Sequence, residues 1–385
     1  MEKHLLNSEF QVLSPYLAKS NNNLSLSGKY LIPNQPLSKK PLPLLKHYFV
    51  GPEIRKTIKH NLDWAAGKKS KPRFKFIYLM LPTICNQRCV GCFTGKDKGF
   101  LSEGLNGRMY SKKELHALVN FLIKHNGEAI IYGGGGELFT YRGAFDLIEQ
   151  IISSGLGMVI FTNGSLLSEQ DIKKIASMDV SLIISLRDTS EREHNKAVGI
   201  KGFRRTLKAL EYALDEGMHK ENRLAVEIPV KINNEKRVLN DFIPVMRSLG
   251  VIPLVEEFIQ IMTSENEKKI GHCFLDAKSF FEKAREIDKK FGYQWSLDFG
   301  QRIIAQPKCE RPLYSFAIYP SGNIMDCPNH STKYGNFYRR PLREIIYSDH
   351  FKDSLLNFKL CACSVFYTKK NEVPADLPEY LKVFV

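Results

Sequence analysis

The sequence predicts an α/β fold: six β/α units around a mostly parallel sheet, closing into a partial (β/α)6 TIM-like barrel or opening as a doubly wound sheet. Three observations lead there. From Phe74 onward, short apolar runs alternate with stretches of helical spacing. The runs are apolar almost throughout, as strands covered on both faces are. The chain has 385 residues and is 43% hydrophobic, enough for a large core. No apolar run approaches the eighteen or so residues of a membrane span.

The runs with strand character are FKFIYLML (74–81), EAIIYG (128–133), GMVIFT (157–162), VSLIISL (180–186), LAVEIPVKI (224–232) and VIPLVEEFIQ (251–260). Most are rich in branched residues and bounded by Gly, Asn or Pro. Between them SKKELHALVNFLIKH, GAFDLIEQIISS, SEQDIKKIASM, GFRRTLKALEYALDEG and LNDFIPVMRSLG carry apolar residues at helical intervals. DAKSFFEKAREIDKKFG does so after the sixth strand. In either sheet topology, chemistry belongs at the C-terminal strand ends.

The N-terminus MEKHLLNSEF lacks a signal-peptide core, so a cytoplasmic protein is expected, with no membrane partner. In that reducing compartment eight cysteines are better ligands or catalysts than disulfides. The net charge is +15, and residues 1–84 hold fourteen Lys/Arg against four Asp/Glu. The same segment contains SNNNLSLSG and the proline-rich IPNQPLSKKPLP, an extended arm in character. It is either an electrostatic footprint for RNA, a phosphorylated ligand or an acidic peptide, or a solvated basic tail. No nucleic-acid fold signature accompanies it.

The first strand ends just before CNQRCVGC, with thiols at Cys85, Cys89 and Cys92. Thiolates at this spacing suit a soft metal centre. Structural zinc wants four closed ligands, and this loop supplies three. A four-iron cluster on three thiolates keeps one iron open to a small molecule. Further candidates lie after other strands: YGGGGELF after the second, Thr162-Asn163-Gly164 at the end of the third, Ser185-Leu186-Arg187-Asp188 at the end of the fourth, and Asn233-Asn234 after the fifth.

This constellation resembles the radical S-adenosylmethionine (radical SAM) superfamily, over roughly residues 74–265. The resemblance implies a [4Fe-4S] cluster on Cys85, Cys89 and Cys92, whose open iron chelates S-adenosylmethionine. One electron then cleaves the sulfonium, and the resulting 5′-deoxyadenosyl radical takes a hydrogen atom from substrate. Gly135-Gly136-Glu137 matches the family's Gly-Gly-Glu-Pro segment with Leu138 replacing proline, where glycines let backbone approach the methionyl amino group. Asn163 is placed near ribose or substrate, and Ser185 is a candidate donor to the cofactor. Arg187 is either a bidentate partner of the methionine carboxylate or a surface ion-pair residue. Where the family usually has an aromatic residue before its third cysteine, this chain has Gly91, and Phe93 is the candidate that compensates.

A second cysteine set follows. CERPLYSFAIYPSGNIMDC reads as a β-hairpin turning at Pro-Ser-Gly-Asn, with Cys309 and Cys327 at its outer ends. Cys361 and Cys363 come later, beyond Tyr334-Gly335-Asn336. The pattern resembles the SPASM extension or its shorter twitch form, which implies one auxiliary [4Fe-4S] cluster on these four residues. Cys361-x-Cys363 replaces the usual Cys-x2-Cys, so His330 or substrate stands as an alternative fourth ligand, and a zinc site as an alternative to the cluster. Cys273 is left over: a hydrogen-atom donor to a substrate radical, or a buried small hydrophobe beside His272.

The expected organisation is a basic N-terminal extension (1–73), a radical SAM core (74–265), a linker helix region (266–308) and an auxiliary-cluster domain (309–385). The expected activity is oxidation, dehydrogenation or crosslinking of a natural-product or peptide substrate. Epimerisation through Cys273 is the alternative, and a non-enzymatic iron–sulfur carrier or nucleic-acid-binding metalloprotein a further one. Expected partners are a small-molecule or peptide substrate and an electron donor such as flavodoxin or ferredoxin.

Overall fold

Each apolar run becomes a strand: β1 Phe76–Leu79, β2 Ala129–Tyr132, β3 Gly157–Thr162, β4 Val180–Ser185, β5 Leu224–Val230 and β6 Ile252–Glu257. Each pairs in parallel with a sequence neighbour. The computed structural model describes residues 52–82, 84–89, 92, 107–230, 234–257, 277–291, 311–328 and 332–358. Two compact units divide the described chain. Among the described residues, one holds 86–89, 92, 161–230, 234–257 and 277–291; the other holds 52–82, 84–85, 107–160, 311–328 and 332–358. The fold class is α/β with a mostly parallel sheet, as the alternation predicts.

In the unit built on β1 and β2, all eight residues of those two strands are buried, which is why they are apolar without alternation. Helix α1 (Pro52–Ala65), α2 (Lys112–Lys124) and α3 (Ala144–Ile152) belong to it. A capping box fixes the start of α2: Ser111 Oγ accepts from the Glu114 amide, and the Glu114 carboxylate accepts from the Ser111 amide. The helix then buries Leu115, Leu118, Val119, Phe121 and Leu122, where a fully covered Leu contributes about 2 kcal/mol.

The predicted hairpin is present, with β7 (Ala317–Ile318) and β8 (Asn323–Met325) antiparallel around a turn closed by Gly322 N–H to Tyr319 O at 2.8 Å. It is stitched onto the first strand: β7 pairs in parallel with β1 at Tyr78↔Ala317, and β9 (Lys333–Asn336) adds to β8. Helices α9 (Leu342–Ile346) and α10 (Asp349–Leu356) follow.

Helix α1 lies inside the basic segment that the sequence marks only by charge. Its Trp64 packs edge-on against Tyr347 at 5.5 Å. Asn61 donates to the carbonyls of Arg73 and Leu313 and accepts from the Arg73 amide, tying the helix to the chain entering β1 and to the chain entering the hairpin. Residues 1–51 of the basic segment lie outside the described residues.

The other unit carries β4 to β6 with α4 (Glu169–Ala176), α5 (Glu191–Val198), α6 (Phe203–Asp215), α7 (Ile243–Ser248) and α8 (Ala277–Lys290). All seven residues of β5 are buried. The segment predicted as one helix from Leu239 begins with the turn Glu235–Arg237, widens into a π-turn at Val238–Phe242, and then becomes α7. Pro244 explains the widening: it has no N–H for the carbonyl four residues back, and its ring would strike that carbonyl in a regular helix.

Candidate cluster and cofactor site

The thiol loop is pinned between its cysteines. Asn86, next to Cys85, donates to Ser165 Oγ at 2.8 Å and accepts from Asn163 Nδ2 at 2.9 Å. Ser165 closes the ring, its hydroxyl donating to Asn163 Oδ1 at 2.6 Å, and Asn163 Oδ1 also accepts the Ser165 amide. That is the Asx turn expected of an Asn-Gly pair at a strand end. Thr206 Oγ1 fixes the same turn by donating to Asn163 O at 2.8 Å. Farther along, the Arg88 amide donates to Val198 O at 2.9 Å, at the end of α5. Gly199, at φ +72°, lets that backbone come close: a Cβ there would sit 3.2 Å from Arg88 O. The loop is therefore anchored through its non-cysteine residues Asn86 and Arg88. Cys85 is exposed, and Cys89 and Cys92 are half-buried.

Cys89 has the most defined surroundings. Its thiol donates to Gln87 Oε1 at 3.5 Å. Burial pushes its pKa up, while the Arg187 guanidinium, hydrogen-bonded to the Cys89 side chain, pulls the other way and favours thiolate. Arg187 stands just beyond β4, and its Nη1 lies 3.8 Å from Glu227 Oε1 on β5. Ser185 Oγ donates to the other Glu227 oxygen at 2.6 Å, because the two residues are register partners across β4 and β5.

Asp188 turns away from this group. Arg237 grips it with two hydrogen bonds, at 2.9 and 2.8 Å, and the Ser190 amide donates to it at 3.0 Å. His194 is fully buried, and its Nδ1 accepts the Arg187 amide at 3.2 Å. Burial first, then the positive charge of Arg187, lowers its pKa to about 4, so it is neutral near pH 7.

In the other unit, the glycine run after β2 is shaped by conformation. Gly134, Gly135 and Gly136 have φ of +147°, +98° and +139°. A Cβ on Gly135 would fall 2.0 Å from Leu81 O, so the run presses against the chain leaving β1. Glu137 is buried; its amide donates to Ile84 O at 3.1 Å, and its carboxylate caps the short turn Leu138–Thr140 by accepting from Phe139 N. Thr140 Oγ1 also donates to Ile84 O. The residue before Cys85 is thus fixed from the Gly-Gly-Glu segment.

Cys327, just past β8, is buried, and Tyr319 closes over the next residue by donating to Pro328 O at 2.8 Å. Phe93, Asn233, Cys273, Cys309, His330, Cys361 and Cys363 lie outside the described residues. Asn86, His194, Glu227 and Arg237 were not among the sequence-predicted site residues. Glu227 had a readable signal, a lone carboxylate inside the apolar run LAVEIPV.

Among the described residues, no three His, Cys, Asp or Glu side chains converge as ligands of a single ion. Thiolates of an iron–sulfur cluster need not do so, since they bind at the corners of a larger body. The chemistry of the donor set suits such a cluster: three cysteines closely spaced in sequence, with a guanidinium beside the middle one. The family model described as "Radical SAM superfamily" matches residues 79–239. Residues 79–239 thus carry the radical SAM domain that the thiol spacing points to.

Among solved structures, this chain has the fold of Streptococcus suis SuiB bound to S-adenosylmethionine, with TM-score 0.58, 15% identity, and 91% of this chain and 79% of that one covered. It also has the fold of anSMEcpe with bound AdoMet, at TM-score 0.54, 14% identity, and 72% and 82% covered. The curated relatives include the tungsten-containing aldehyde ferredoxin oxidoreductase cofactor-modifying protein of Pyrococcus furiosus, 24% identical over 205 residues, 51% of this chain and 54% of that protein. Fe-coproporphyrin III synthase of Methanosarcina barkeri is 26% identical over 170 residues, 44% and 40% of the two chains. The matched stretches span about half the length of these relatives or less. The cofactors of the superfamily are a [4Fe-4S] cluster and S-adenosylmethionine. No helix among the described residues is long and apolar enough to cross a membrane.

Proposed function

We propose that this chain is a radical SAM oxidoreductase that modifies a peptide or peptide-like natural product by oxidation, dehydrogenation or crosslinking. The observation that carries the reading is the anchored Cys85–Cys92 loop with Arg187 at Cys89. When bound, the cluster and S-adenosylmethionine supply a 5′-deoxyadenosyl radical that removes a hydrogen atom from an unactivated C–H bond. The chain's own residues hold and orient these groups. Cys85, Cys89 and Cys92 ligate the cluster; the Gly135-Gly136 backbone and Glu137 border the methionyl end; Asn163, Ser185, Arg187 and Phe93 contact the rest of the cofactor.

Cys309, Cys327, Cys361 and Cys363 would hold an auxiliary cluster, which would supply an acceptor for the second electron of a net oxidation. An external donor of the flavodoxin or ferredoxin kind supplies the first. The peptide class is supported by two fold neighbours, SuiB bound to precursor peptide SuiA and anSMEcpe with a Cp18Cys peptide. It is also supported by the +15 charge, which suits an acidic peptide. The second reading is epimerisation, with Cys273 returning a hydrogen atom.

The test is turnover of the reconstituted, reduced enzyme on acidic peptides in D2O. A mass loss of two hydrogens marks oxidation or crosslinking. A one-unit gain that disappears in Cys273→Ala marks inversion. If S-adenosylmethionine is consumed while every peptide keeps its mass, the peptide assignment is wrong.

A further inference from the structure

Glu227 has no part in the reading so far, yet it is a carboxylate 7% exposed in the middle of a strand whose other six residues are also buried. Such a group is costly unless paired and hydrogen-bonded. Its two oxygens are used separately. Ser185 Oγ, its register partner on β4, donates to Oε2 at 2.6 Å. Arg187 Nη1 stands 3.8 Å from Oε1, and the same guanidinium reaches the Cys89 side chain. Arg187 is therefore paired with a carboxylate that a serine also holds, and its positive charge acts on the Cys89 sulfur.

We infer that Glu227 is a positioning residue: with Ser185 it holds the Arg187 guanidinium on the Cys89 sulfur and thereby raises the reduction potential of a cluster ligated there. The inference rests on the cluster reading above. A hydrogen bond and a positive charge at a ligand sulfur stabilise the reduced cluster, which carries one more negative charge than the oxidised one. Glu227 as a bare charge would act in the opposite direction. Removing a negative charge near the cluster raises its potential, whereas releasing Arg187 from Cys89 lowers it. The sign of the change therefore separates positioning from simple electrostatics and from a structural role, which would leave the potential unmoved.

The experiment is a redox titration, followed by electron paramagnetic resonance, of anaerobically reconstituted wild type, Glu227→Gln, Ser185→Ala, Arg187→Gln and the Glu227→Gln/Arg187→Gln double variant. The relevant signal is the one that Cys89→Ala removes. Glu227→Gln and Arg187→Gln are expected to shift its midpoint to lower potential, Ser185→Ala to shift it less in the same direction, and the double variant to fall no further than Arg187→Gln. A raised or unchanged midpoint in Glu227→Gln overturns the inference. If that variant does not load, an unchanged or raised midpoint in Ser185→Ala overturns it. A wild type with no signal sensitive to Cys89→Ala refutes the cluster reading itself, and this inference with it.

Discussion

At Gly135 the φ of +98° and the Leu81 carbonyl oxygen, 2.0 Å from where a Cβ would stand, leave no place for a side chain. Gly135→Ala is expected to destabilise the apo protein by about 3 kcal/mol or more, read as a drop in Tm; an unchanged Tm would contradict this local geometry. His194 makes a pH prediction. Its pKa is 6.5 in the ordinary state and about 4 when folded, so protons bind the unfolded chain more tightly. Its contribution to stability is complete above pH 6.5 and is lost as pH falls toward 4, at up to about 1.4 kcal/mol per pH unit. Denaturant titrations between those values should show a shallower slope in His194→Asn; an identical slope would place the titration elsewhere. Gly135 was legible because only glycine serves where backbones meet. The roles of His194 and Glu227 were not, because their partners, the Arg187 amide and Ser185, come from other turns and strands.

Elements were legible in proportion to how regularly they bury apolar surface. All six parallel strands and the helices α2, α3, α4 and α6 follow the predicted segments. Helix α5 escaped because only His194 and Val198 are buried in its eight residues, too few to make a stripe. Helix α1 escaped because lysines and arginines dominate its surroundings, and its burial depends on Trp64 meeting α10 and Tyr347 far along the chain. The π-turn before α7 follows from Pro244, though a helix with one proline does not announce how it will adjust. The ends of β4 and the helical passage after β5 are joined by Asp188 and Arg237, a 7%-exposed carboxylate in a two-pronged grip. Arg237→Met leaves that carboxylate without its main counter-charge and is expected to cost about 2–3 kcal/mol in urea unfolding. A change below about 0.5 kcal/mol would mean that the β4 end is held without it.

For the whole molecule, the spacing of three cysteines puts the thiols just past the C-terminal end of a parallel strand, and β1 does end at Leu79, a few residues before them. What spacing does not convey is how the loop is held: Asn86, Asn163 and Ser165 form a ring whose members are 77 and 79 residues apart from Asn86 in sequence. The central claim is that this held loop ligates a cluster with one open iron that cleaves S-adenosylmethionine. Its most direct measurement is 5′-deoxyadenosine formed by anaerobically reconstituted protein with reductant and S-adenosylmethionine. The expected result is reductant-dependent product that disappears in Cys85→Ala, Cys89→Ala and Cys92→Ala alike. Intact S-adenosylmethionine in the presence of a fully loaded, reduced cluster would contradict it.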